Sequence, residues 1–154
     1  MKKILYIDMD GVLVDFESSF AHVSEAVLEE YKDREDEIPG IFGHMAPKPG
    51  AIEAYLELAA IYDTYILSTS PWRNPSAWRD KLVWVTTHLD DVAHKRLILT
   101  HHKDLNRGDY LVDDSLKNGA DRFGGELTLF GSKRFPDWPA VVDYLTAAAD
   151  QDAR

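Results

Sequence analysis

Two carboxylates stand one residue apart in Asp8-Met9-Asp10-Gly11, where the apolar run "ILYI" at residues 4–7 gives out. Acids this close repel each other and lose hydration on burial unless a cation or a reaction requires them. Three more polar clusters follow apolar runs later in the chain: Ser68-Thr69-Ser70, then Thr100-His101-His102-Lys103, then Asp113-Asp114. Asp8, Asp10 and the Asp113-Asp114 pair are hard oxygen donors that need no histidine or cysteine among them. Such a set suits Mg²⁺, which keeps several waters and is usually held by one or two carboxylates plus a substrate phosphate. Hydroxyls of Thr69 or Ser70 at a strand-to-loop turn can donate to phosphate oxygens. Lys103 can neutralise the charge that develops as a phosphoryl group moves. An aspartate beside a metal ion is a competent nucleophile toward phosphorus. A second aspartate two residues on is placed to protonate the leaving oxygen and later to deprotonate water.

These residues can act together only if the fold brings them to one edge. Short β-rich runs at 4–7, 64–67, 97–99, 110–112 and 127–130 are nearly continuous in apolar residues, as expected of strands covered on both faces. Helical spacing separates them. Phe20, Val23, Val27 and Tyr31 recur every three to four residues, as do Trp78, Leu82, Val85 and Leu89 in a helix starting near Pro75. Two further helices are expected over 50–60 and 138–148, the latter with Asp137 as N-cap and Pro139 in its first turn. The last residues, "AAADQDAR", read as a fraying helix end with a loose tail. Alternating strands and helices predict a single α/β domain with βαβ units and a parallel sheet. An irregular insertion is expected over about 32–49. In such sheets ligands sit beyond the carboxyl ends of the strands, where all four polar clusters fall.

Composition narrows the function classes. The 154 residues match one domain with an ordinary globular balance, 45% hydrophobic and 29% charged. With no cysteine, neither a disulfide framework nor a thiolate metal site is available. The formal charge of −10 argues against binding long nucleic acid, which depends on cationic contacts, but not against one small anion held by a metal ion or a lysine. The run "DREDE" at 33–37 reads as a solvated loop face. Lys2 and Lys3 precede an apolar run far too short for a signal peptide or a membrane span, so the expectation is a cytoplasmic protein with no membrane partner. No exposed apolar stripe stands apart from the core periodicity, and nothing in the sequence sets an oligomeric state.

The order D-x-D-G-V-L, S/T, lysine, D-D is similar to the four motifs of haloacid dehalogenase-type phosphatases. "DMDGVLVDFE", "TSP", "WV…HL" followed by "LILTHHKD", "YLVDD" and a late "FPDW" resemble the 5′(3′)-deoxyribonucleotidases along nearly the whole chain. "PKPGAIEA" is similar to the segment leading out of that family's cap. The resemblance implies an α/β fold with a three-layer, Rossmann-like parallel sheet as the catalytic core at 1–15 and 48–154, and a small helical cap inserted after the first strand over 16–47. It implies that Asp8 attacks phosphorus and becomes a phosphoaspartate. Asp10 would be the acid/base and would give Mg²⁺ its backbone carbonyl. Thr69, with Ser70 or its backbone, would bind phosphate, and Lys103 would hold the phosphoryl group and Asp8 together. Asp113 and Asp114 would both serve the metal, with Asp113 the direct ligand and Asp114 the anchor behind it or the two roles exchanged. Phe16 matches the aromatic at the base-binding pocket. The substrate so implied is a small phosphomonoester, a deoxyribonucleoside monophosphate.

Blander readings compete at several positions. Asp8 and Asp10 could form a plain turn, and Asp113-Asp114 in isolation could cap a helix before Ser115. Lys95 and Arg96 compete with Lys103 as the phosphate cation, and "LTHHKD" favours Lys103. His101 and His102 read as an exposed loop pair, and Asp15 as a helix cap rather than a further metal ligand. Among Trp72, Trp78 and Trp84 only Trp72 sits where a ligand could reach it, and in the insertion Phe42 is a second candidate contact after Phe16. The insertion is shorter than the cap of the animal enzymes. The alternatives to a deoxyribonucleotidase are the same chemistry on another small phosphomonoester, such as a sugar phosphate, or a phosphate- or nucleotide-binding module without turnover.

Overall fold

The computed structural model describes residues 1–154. Five parallel strands form the central sheet: β1 (Ile4–Ile7), β4 (Asp63–Ser68), β5 (Leu97–Leu99), β6 (Tyr110–Asp113) and β7 (Glu126–Leu129), in the order β5-β4-β1-β6-β7. A two-stranded antiparallel ribbon of β2 (Val14–Asp15) and β3 (Ala46–Pro47) flanks it. The chain winds outward from β1 through β4 to β5, then returns to the other side of β1 for β6 and β7. That reversal places the switch point of the sheet at the carboxyl end of β1, between β4 and β6.

The helices are α1 (Glu25–Glu30), α2 (Ala51–Ile61), α3 (Pro75–Ala93) and α4 (Trp138–Asp152). Asp137 caps α4 by accepting from the Ala140 N–H at 3.1 Å, with proline in the first turn. The helix runs on to Asp152 instead of fraying from Ala147. An ion pair between Lys3 and Asp152, 2.7 Å apart, ties that end to the start of β1. Leu5, Ile7, Ile66 and Val112 of the strands, with Tyr55, Leu58, Val141 and Leu145 of α2 and α4, are fully buried in one core. Trp138 is buried in it as well, and its indole N–H donates to the Val12 carbonyl at 2.8 Å, pinning the loop that carries Asp8 and Asp10.

Two expectations about helices are corrected. The period through Phe20, Val23, Val27 and Tyr31 does not make one helix. A 3₁₀ helix at Phe16–His22 stops where Val23 turns extended, and α1 starts afresh with Ser24 accepting from the Val27 N–H. In α3 the buried face carries Ala77, Asp80, Lys81, Trp84, Val85 and Leu89, whereas Leu82 is exposed. The apolar spacing through Trp78 and Leu82 picked a stripe rotated away from the face that packs, because the true face includes a lysine.

The insertion between β2 and β3 continues with two 3₁₀ turns at Glu35–Glu37 and Ile41–His44. It is fastened to α3 by backbone contacts. Asn74 donates to the carbonyls of Asp36 (2.9 Å) and Ile38 (3.0 Å), Ser76 accepts from the Gly40 N–H (3.0 Å), and Trp84 donates to the Met45 carbonyl (2.9 Å). No helix is long and apolar enough to cross a membrane.

Candidate active site

The loop 8–14 is a tight turn at the end of β1. Asp8 N–H donates to the Val112 carbonyl at 2.9 Å, and the N–H groups of Val12, Leu13 and Val14 all donate to the Met9 carbonyl. Gly11 has φ +78°, and a Cβ there would lie 2.0 Å from an Asp114 carboxylate oxygen. Glycine is therefore required twice over, for its left-handed backbone and for the close approach of the first and fourth motifs.

Asp8, Lys103 and Asp113 meet in the buried floor of the cleft. Lys103 Nζ donates to Asp8 Oδ1 at 3.0 Å and to Asp113 Oδ2 at 2.5 Å. The Ser115 N–H donates to the other Asp113 oxygen at 3.1 Å. Asp114, exposed, completes a cluster in which one oxygen each from Asp8, Asp113 and Asp114 lies within 4.8 Å of the others. Three carboxylates face one ammonium here. Burial pushes the Asp8 carboxyl well above the ordinary carboxylate range, Lys103 opposes that in part, and the charges of Asp113 and Asp10 add to it. Burial and the Asp113 charge also raise Asp114. For Lys103, burial works against the charged form, yet Asp8 and Asp113 outweigh it and the net direction is upward. An all-oxygen set with excess negative charge, two of its three carboxylates buried, fits a hard divalent cation such as Mg²⁺.

Asp10 does not join that cluster by its carboxylate. It turns to Lys81, which is 0% exposed and donates to Asp10 Oδ2 (3.0 Å), Ser68 Oγ (2.8 Å) and the Thr69 carbonyl (2.7 Å). All three ammonium protons are thereby used. Sequence reasoning missed Lys81, because "WRDKLVW" reads as a charged helix face. The available signal was its place four residues after Ala77 and three to four before Trp84 and Val85, on the stripe that packs.

The phosphate-binding pair also divides. Thr69 Oγ1 donates to the Thr100 carbonyl at 2.7 Å, so its proton is already committed. The Ser70 hydroxyl is buried without a partner, as is Asp10 Oδ1. Buried polar atoms normally find a hydrogen bond, so these two are poised for a ligand. A small all-polar cavity of about 210 Å³ joins Asp8, Asp10, Lys103 and Asp113 at the floor. A wider one of about 830 Å³ opens above it, sharing Asp10, Thr69 and Asp114 and walled by Phe16, Phe42 and Trp72. Asp15, Glu17 and Asp36 line the same mouth. His101 is half-buried there against Trp72 and Trp78, not a free loop residue, while His102 is exposed.

Residues 36–136 match the family described as 5′ nucleotidase, deoxy (Pyrimidine), cytosolic type C protein. A candidate 5′(3′)-deoxyribonucleotidase of Vibrio phage KVP40 is 55% identical over 146 residues, 95% of this chain and 86% of that protein. The human 5′(3′)-deoxyribonucleotidase of cytosolic type is 28% identical, with 88% of this chain and 77% of the human protein aligned. In structure the chain resembles a candidate HAD-hydrolase, YfnB of Bacillus subtilis, solved bound to magnesium. The TM-score is 0.62 at 12% identity, covering 96% of this chain and 98% of that one. At that identity the likeness speaks for the fold alone.

Proposed function

We infer that this chain, which belongs to the 5′(3′)-deoxyribonucleotidase family, hydrolyses deoxyribonucleoside monophosphates in an Mg²⁺-dependent reaction through a phosphoaspartate on Asp8. The observation that carries the reading is the pair of separate lysine-held carboxylates. Lys103 holds Asp8 in the floor, and Lys81 holds Asp10 two residues away, so one acid is aimed for attack and the other for proton transfer.

In the first step an Asp8 carboxylate oxygen bonds to phosphorus, the phosphorus–ester oxygen bond breaks, and Asp10 passes a proton to the leaving alkoxide. In the second, Asp10 takes a proton from water, whose oxygen bonds to phosphorus. The phosphorus–Asp8 bond then breaks, releasing inorganic phosphate and the Asp8 carboxylate. Ser70 donates its unpartnered hydroxyl to a phosphate oxygen, and Lys103 neutralises charge on the moving group. Asp8, Asp113 and the Asp10 backbone carbonyl would hold Mg²⁺, with Asp114 beside them; the carboxylates of Asp8, Asp113 and Asp114 already form one cluster. When bound, the ion supplies positive charge to Asp8 and to the phosphoryl oxygens. A cytoplasmic location belongs to the same reading, and the human relative is named as the cytosolic type.

Phosphate release from dUMP, dTMP and dGMP, their ribose and 3′ counterparts and a set of sugar phosphates, with Mg²⁺ and with EDTA, tests it. Metal-dependent turnover favouring the deoxynucleotides is expected. Turnover confined to sugar phosphates would retain the aspartate chemistry and overturn the substrate. No turnover would leave a binding module.

A further inference from the structure

Trp72 is 79% exposed, and no other aromatic side chain stands among the exposed large apolar residues. An open indole is costly, since an aromatic side chain carries some of the largest apolar areas in a protein. This one stands at the wall of the 830 Å³ cavity, two residues after the unpartnered hydroxyl of Ser70. Its aromatic neighbours meet it with their ring planes nearly perpendicular to its own. Trp78 packs at 6.5 Å between ring centroids with planes 73° apart, and His101 at 5.9 Å and 76°. The turn beneath is fixed by the Trp78 indole N–H, which donates to the Pro71 carbonyl at 3.1 Å.

Phe16 and Phe42, which line the same cavity, cannot do the work alone. Phe16 and Phe42 have ring centroids 5.3 Å apart with planes inclined at 36°. A planar base inserted between two rings needs roughly 3.5 Å on each side, so there is no room for one there. A base can meet that pair only at its outer edge.

We propose that Trp72 is the specificity-determining platform on which the nucleobase of a nucleoside monophosphate stacks, across the cavity from Phe16 and Phe42. The assignment rests on the nucleotidase reading above. Ser70-Pro71-Trp72 then couples the phosphate grip and the base platform within one short turn, at a separation of at most about 7 Å of chain. The insertion lends the cavity Phe16 and Phe42, and this turn after β4 adds Trp72 from the core.

Trp72→Ala, Trp72→Phe and the unaltered protein are compared on dUMP and on glycerol 2-phosphate, a substrate without a base. Because the side chain is exposed, its removal does not threaten folding. Stacking on an aromatic side chain is worth enough to shift affinity about tenfold. The kcat/KM ratio of dUMP over glycerol 2-phosphate therefore falls about tenfold in Trp72→Ala, chiefly through KM, and Trp72→Phe recovers most of it. Quenching of tryptophan emission on adding dUMP to the Asp8→Asn protein is lost when Trp72→Ala is added. An unaltered ratio in Trp72→Ala, together with retained quenching, overturns the platform. If instead the unaltered protein already shows no preference for dUMP over glycerol 2-phosphate, the nucleotidase reading fails, whatever Trp72 does.

Discussion

At the floor of the cleft, Asp8, Asp113, Asp10, Lys103 and Lys81 are each tied to an oppositely charged partner, and all but Asp10 are buried. At its mouth, Trp72, Asp15, Glu17 and Asp36 stand exposed beside a half-buried Phe16, around a cavity about four times the volume of the one below. The two regions touch where Lys81 Nζ lies 5.0 Å from the centre of the Phe42 ring. Charges removed from water must be fixed by partners, so the floor is set in one arrangement by its own electrostatics. The mouth is solvated and needs no such pairing, so its shape depends on how the insertion is fastened to α3. Chemistry belongs to the first region and substrate choice to the second. Changes below should act on turnover, and changes above on KM.

Asp8→Asn is the largest break. It leaves the floor's packing but removes the nucleophile, and phosphate release falls about 10⁴-fold or more in a steady-state assay. Next is Lys81→Met, which keeps the volume and releases Asp10 from its fixed geometry. It lowers kcat about 10²-fold with little change in KM. An equal shift in KM would move Lys81 from the chemistry to binding. Ser70→Ala and Thr69→Val sharpen the division within one turn. Losing a hydrogen bond to a charged phosphate costs about 2 kcal/mol, so Ser70→Ala reduces kcat/KM about 30-fold. Thr69→Val, whose hydroxyl proton is spent on the Thr100 carbonyl, reduces it by only about threefold.

The Asp113-Asp114 and Asp8-Met9-Asp10 groups were legible in the sequence because each is local and follows an apolar run. A strand end is a place that a single short segment defines. The sheet was legible for the same reason; the structure extends β4 by one residue at each end and β6 by one, and sets β7 one residue earlier. Lys81 was not legible. Its partners Asp10 and Ser68 lie on other elements, and its own neighbours Arg79 and Asp80 make the segment look solvated. The break at Val23 escaped because Ser24 competes with helix continuation by capping, which periodicity of apolar residues does not register. Trp72 and His101 lay between the two cases, placed on loops by the sequence but joined only by the fold.

The smallest effect is thermal. Asp8 holds its proton more tightly in the folded protein than in the unfolded chain, so without metal its contribution to stability is greatest below about 3.8 and is lost as pH rises through its raised folded value. Lys103, also raised, acts in the same sense but far higher on the pH scale: its contribution is complete below 10.5 and is lost only as pH rises above it. A divalent ion binds the deprotonated carboxylates, so saturating Mg²⁺ raises Tm by about 5 °C at pH 7 and by less at pH 5. An equal gain at both would place the ion elsewhere.

The proposed reaction turns on a covalent bond to Asp8, and acid-quenched mixing with ³²P-labelled dUMP and Mg²⁺ tests that bond most directly. Label retained on the protein within the first turnover, released by hydroxylamine, located on the peptide containing Asp8 and absent from Asp8→Asn, is the predicted result. Phosphate release by Asp8→Asn at the rate of the unaltered protein, with no protein-bound label in either, would contradict it.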